Sequence, residues 1–183
     1  MSRLSDLNPK NLDAEQRSIY DDILKSRNGS IGGPFAPWLR SPVLADRAQK
    51  LGAFCRYNSS LAPRLSELAI LVTARQWRAN VEWFIHAPIA EAEGLSGTVI
   101  ASLLADERPD FWHDDEALIY DLATELYEQK RVSRMTYDLA VAEFGETGVV
   151  DLIGILGYYA LVAMTLNTFE VSLPEMQNPP FSD

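Results

Sequence analysis

Glu82 and His86 stand four residues apart in a segment, Val81 to His86, that is otherwise apolar. Helical side chains at i and i+4 share one face, so this spacing points the carboxylate and the imidazole the same way. Glu67 lies one element earlier, inside the apolar run Leu65 to Ala74. A buried carboxylate must find a partner or take up a proton. An imidazole and carboxylates converging in an apolar site are the equipment of general acid–base chemistry near neutral pH. His86, Glu67 and Glu82 are therefore the candidate catalytic set. Each also has an ordinary structural explanation. Glu67 could pair with Arg56, Arg64 or Arg75, and Glu–His pairs at helical spacing stabilise plain helices.

The same residues make a poor metal site, and none is assigned. The chain has two histidines, and no second one stands near His86 to complete a zinc or iron pattern. His113, beside Asp114 and Asp115, reads as a solvated or capping residue. The single cysteine, Cys55, excludes an intramolecular disulfide and a thiolate cluster. Its apolar helical neighbours mark it as buried and inert, with Arg56 the adjacent hint of activation. Trp38 and Trp83 are candidate pocket aromatics, although tryptophans more often fill cores.

These side chains need a frame. With 183 residues, 47% of them hydrophobic, the chain suffices for one domain with a substantial core. Its net charge of −10 argues against nucleic acid or an anionic membrane as partner, since both require a basic face. The polar start, Met1 to Lys10, and the lone cysteine suggest a cytoplasmic protein. Val149 to Phe169 is apolar enough to be weighed as a membrane span. Asp151, Asn167 and the lack of a flanking basic cluster favour a core or subunit-interface helix instead.

The pattern is helical nearly throughout, predicting an all-α fold in one domain, 1–183, of about seven helices with its core at about 33–170. Asp13 with Gln16 forms a capping box, and Ile19 and Ile23 line a helix that stops at Asn28-Gly29. Gly32 to Trp38 reads as a rigid loop. Ser41-Pro42 and Pro63 open the next two helices. Asn80 is expected to cap a helix that kinks beyond His86, at Pro88, and ends at Gly94. Ser96 starts a short helix to about Ala105, Asp115 one to about Arg131, and Ser133 one to about Gly145. Thr147 opens the long apolar helix.

Taken in order, these residues resemble the carboxymuconolactone decarboxylase family, which includes the alkylhydroperoxidase-D-like thiol peroxidases. The similarity lies in Gly33-Pro34-Phe35 before the Ser41-Pro42 helix, Arg56, and Glu67 opening Glu-Leu-Ala-Ile-Leu-Val-Thr-Ala. Glu82-Trp83-x-x-His86-x-Pro88-x-Ala90-x-x-x-Gly94-Leu95-Ser96 completes the set, which spans Gly33 to about Leu104. The resemblance implies an all-helical fold, homotrimers or homohexamers, and a site near a subunit interface that works on a small molecule without a cofactor. The peroxidase branch carries Glu, then Cys-x-x-Cys and, after three further residues, His. Here Ala79 and Glu82 occupy the cysteine positions, so the dithiol mechanism is disfavoured.

The decarboxylase branch, an activity of aromatic degradation, implies loss of CO₂ and reprotonation of a dienolate on carbon. On that resemblance His86 is the proton donor, Glu67 or Glu82 orients it, and Arg56 anchors a carboxylate. The leading expectation is thus a cofactor-free lyase or isomerase acting on a small, possibly carboxylated lactone or enol. An antioxidant peroxidase and a non-catalytic oligomeric small-molecule binder are the alternatives.

Overall fold

A capping box sets where the chain first becomes regular. In the computed structural model, which describes residues 2–5, 7–26, 31–174 and 177–181, Gln16 N donates to Asp13 Oδ1 at 2.8 Å and Asp13 N donates to Gln16 Oε1 at 3.1 Å. Two orphan N–H groups at the helix start are thereby satisfied. Helix α1 (Ala14–Ser26) follows and buries Ile19 and Ile23. Its expected stop at Asn28-Gly29 lies outside the described residues.

The segment Gly32 to Trp38 corrects the loop expectation. It ends in one turn of helix, α2 (Phe35–Trp38), closed by Trp38 N donating to the Pro34 carbonyl at 3.0 Å. Phe35 and Trp38 are both buried, so the turn is held by what it packs against rather than by its short backbone. Pro42 and Pro63 begin α3 (Pro42–Tyr57) and α4 (Pro63–Gln76), their missing N–H falling where none is needed. Ser41 makes no side-chain capping bond, so proline alone marks the start of α3.

Every residue of α4 from Leu65 to Ala74 is buried, which makes it the central helix. A turn of three residues then reverses the chain into α5 (Asn80–Ala92). Ala79 N reaches back to the Ala74 carbonyl at 2.8 Å, with Arg78 in the left-handed region at φ 48°. Asn80 does not cap α5; it is the first helical residue, and its Oδ1 accepts from Phe181 N at 2.8 Å. Helix α5 runs through Pro88, and Gly94 follows it at φ 97°.

Ser96 caps α6 (Gly97–Leu104) through the Thr98 N–H, and α7 (Asp114–Gln129) begins after the polar loop with its acidic residues at the positive end. Ser133 caps α8 (Arg134–Thr168), which consists of the two helices expected around Gly145, meeting at a kink there. Gly145 interrupts it at φ 70°, ψ 169°, a conformation other residues rarely adopt. Among the described residues there are eight α-helices and no strand, an all-α fold in a single domain. The core extends from Ile19 to Phe181, because the C-terminal segment returns to cover Trp83.

By length and composition α8 could cross a membrane, yet 61% of its apolar window is buried inside the fold, as in a core helix. It packs on α3, α4, α5 and α7. Against α3 the approach is close: a methyl group built on Gly52 would overlap the Tyr158 hydroxyl and ring. Asp151 of α8 also accepts from both the backbone N–H and the hydroxyl of Ser60, at 2.8 and 2.7 Å, tying down the α3–α4 turn. Gly52→Ala is expected to push Tyr158 aside and destabilise the fold by about 1–3 kcal/mol, an overpacking effect measurable by urea denaturation. An unchanged midpoint would show that Tyr158 has room to move.

Candidate active site

The short α4–α5 turn folds the two helices back along each other, which places Glu67 beside His86. The His86 Nδ1–H donates to Glu67 Oε2 at 2.7 Å, and both side chains are buried. The three arginines that could have claimed Glu67 make no ion pair with it. Arg64 pairs with Asp115 at 2.8 Å and with Glu116, and Arg75 pairs with Asp106 at 2.8 Å. Arg56 has no ion pair among the described residues; its guanidinium lies 5.3 Å over the Tyr57 ring.

With Nδ1 committed to Glu67, the other imidazole nitrogen, Nε2, is left for the space in front of the ring. That space is a cavity of about 340 Å³. Helix α5 supplies Glu82, Ile85 and His86, and α3 supplies Arg56 and Tyr57. The opposite wall is Tyr158, Tyr159, Val162 and Leu166 of α8, and the Gly32–Phe35 segment completes it. Tyr159 stands edge-on to the imidazole, with centroids 5.0 Å apart and planes at 87°. Glu67 lies behind His86 and faces a second cavity, also about 340 Å³, together with Ser59, Ser66 and Glu93; Arg56 and Tyr57 border both spaces.

Glu82 shares the helix face of His86 as its spacing predicts, but it does not orient the imidazole. Both of its oxygens are buried without a hydrogen-bond partner among the described residues, and the side chain is 1% exposed. Burial pushes its carboxyl well above the usual range. The division of labour follows: Glu67 is the partner of His86, and Glu82 stands apart from it, facing the cavity.

Two expected pocket residues do not line the cavity. Trp83 lies roughly a quarter turn round α5 from the Glu82–Ile85–His86 face, and its ring packs on Phe181 at 5.3 Å. Trp38 sits behind the wall, its indole N–H donating to Thr165 Oγ1 at 3.0 Å and its ring against Phe35 and Tyr158. Sequence reading missed Tyr158 and Tyr159, which it absorbed into an apolar helix. The available signal was two adjacent phenols in that helix, since a buried tyrosine hydroxyl needs a partner.

Cys55 is fully buried, outside the cavity lining, with its thiol raised to about 11 by burial and then by Asp151. His113 is exposed at the N-terminus of α7 and makes no capping bond. Among the described residues no three His, Cys, Asp or Glu side chains gather as metal ligands.

The Glu82 shift has a thermodynamic consequence. Its pKa is higher folded than unfolded, so the folded protein keeps a proton that the unfolded chain releases as pH rises. The associated stability is whole below the ordinary carboxylate range and is lost as pH climbs toward the folded pKa. The stability of the protein relative to Glu82→Gln should therefore fall by about 1.4 kcal/mol per pH unit within that window. Urea melts at a series of pH values measure this, and a difference independent of pH would show that folding leaves Glu82 unperturbed.

The chain matches no family model and no curated protein. Among solved structures it is similar to an uncharacterized peroxidase-related protein from Silicibacter sp. TM1040, with a TM-score of 0.73 at 10% identity, over 93% of this chain and 91% of that one. At that identity the likeness concerns the fold alone, an all-helical single domain.

Proposed function

We propose that this protein is an acid–base enzyme of the carboxymuconolactone decarboxylase type, a lyase or isomerase acting on a small carboxylated lactone or enol without a cofactor. One observation supports the reading above the others. A histidine fixed through Nδ1 by a buried carboxylate faces a cavity that also contains an unpaired arginine. Arg56 would hold a substrate carboxylate, and the aromatic and aliphatic walls would hold a planar ring. On decarboxylation the bond to the departing carboxylate breaks, CO₂ leaves, and the electron pair delocalises into the lactone carbonyl as a dienolate. Protonated His86 then gives its Nε2 proton to carbon and is recharged from water. Glu67 holds the ring in place through Nδ1.

The peroxidase reading rests on the description of the similar structure. It requires a nucleophilic and a resolving thiol, whereas this chain has one cysteine, buried and away from the cavity. With a dithiol reductant and a peroxide, turnover is expected to stay at background; a Cys55-dependent rate would reverse the assignment. His86→Gln should abolish lactone turnover with little change in melting temperature, because glutamine retains a donor toward Glu67. If that variant unfolds instead, His86 is a core residue and the enzymatic reading fails.

We also propose that the protein is a homo-oligomer, a trimer or a hexamer built from trimers. Val150, Ile153 and Met164 leave an apolar stripe exposed along α8 at 69%, 43% and 42%. Gly154 and Gly157 beside it have nothing within 4 Å of a built Cβ, so another backbone could approach closely. Sedimentation should find the assembly at micromolar concentration and monomers for Ile153→Asp; a monomeric parent protein would overturn this.

A further inference from the structure

Glu82 is, among the described residues, the one carboxyl group with both oxygens buried and unbonded. Other buried polar groups in this part of the fold are satisfied. Thr73 Oγ1 donates to the Ala69 carbonyl at 2.8 Å and meets Tyr127 Oη at 2.9 Å, while Thr165 accepts from Trp38. Leaving a buried carboxylate ionised without a donor is among the most costly states in a protein, so Glu82 carries its own proton and becomes an O–H donor. It lines the cavity, but no acceptor meets it.

A second donor stands on the facing helix. Tyr159 makes no hydrogen bond among the described residues, and its ring is fixed against the His86 imidazole and, at 5.2 Å, against Tyr158. Burial, then the negative charge of Glu67, keeps its hydroxyl protonated. The groups facing the two donors are His86 and Glu82 from α5, Arg56 from α3, Glu67 from α4, Tyr127 from α7 and Tyr158 from α8. The only cation with an unpaired charge among them is Arg56.

Resting on the acid–base reading above, we propose that Glu82 and Tyr159 form a pair of neutral donors for one ligand oxygen. The ligand class is then a small planar oxyanion, an enolate or phenolate, whose carboxylate, where it has one, is held by Arg56. Two fixed O–H donors in a cavity lined by aromatic and aliphatic side chains favour charge that develops on oxygen, which is where a dienolate places it. They supply this without a second buried cation. Glu82 is thereby a residue that touches the reacting atoms, and its role is distinct from that of Glu67, which acts through His86.

The test uses the full-length protein and two probes, para-nitrophenol and para-hydroxybenzoate. Infrared difference spectra of protein labelled with isotopic glutamate should show, at neutral pH, a protonated carboxyl stretch that Glu82→Gln removes. Para-nitrophenol should bind with the absorbance of its anion. Glu82→Leu and Tyr159→Phe should each weaken that binding about tenfold, with Glu82→Gln retaining most of it because its amide still donates. Arg56→Ala should weaken para-hydroxybenzoate but not para-nitrophenol. Absence of the carboxyl band, binding only of neutral phenol, no saturable binding, or equal affinity in Glu82→Leu would each overturn the pair. Tyr159→Phe stands as an independent readout if Glu82→Leu fails to fold. Phenolate binding that follows this pattern with no lactone turnover would instead retain the donor pair and discard the enzymatic reading.

Discussion

The arrangement depends on a carboxylate that sits where a carboxylate should not. Helix α4 is buried along ten consecutive residues, and Glu67 is the charged residue among them. It is tolerated because the His86 Nδ1–H reaches it across the helix pair. Removing either partner would leave the other buried and underbonded, so this bond fixes the spacing of α4 and α5. It also decides which imidazole nitrogen is left free. Core packing and the orientation of the imidazole are set by the same contact.

The second carboxylate shows how environment separates two chemically identical groups. Glu67 is hydrogen-bonded to the histidine; Glu82, one helix on, has no partner among the described residues, and burial pushes its carboxyl well above the usual range. The contrast is one of local solvation: the same side chain has a hydrogen-bond partner in one place and none in the other. Arg56 completes the set as a cation that no carboxylate of the described fold neutralises. An anion entering the cavity would meet a positive charge that the described fold leaves unpaired.

Much of the frame was legible because local chemistry dictates it. The Asp13–Gln16 box, the prolines at 42 and 63, Ser96 and Ser133 each satisfy or remove a backbone donor at a helix start, and the structure uses all of them. Asn80 failed by the same logic, because its side chain found a better donor in Phe181, far away in sequence. Helical spacing put Glu82 and His86 on one face, but it could not say which glutamate His86 would bond. That depends on how α4 lies against α5, a tertiary fact. Trp83 and Trp38 were misplaced for a related reason: Phe181 and Thr165 claimed them from distant segments. The tyrosines of α8 were hidden because apolar periodicity does not register a hydroxyl at the edge of a ring.

The cavity walls come from opposite halves of the chain. Helices α4 and α5 are neighbours in sequence and can pair through a turn of three residues. Helix α8 must close a far longer loop before Tyr158 and Tyr159 meet His86, and such closures are the slow, entropically demanding part of assembly. On the ribosome His86 is made well before Tyr159 exists, so the nascent chain carries Glu67 and His86 with one wall of the cavity missing. The cavity therefore closes last. A ligand that fills the cavity would act by mass action on the docked state of α8, holding shut the final joint of the fold rather than its first.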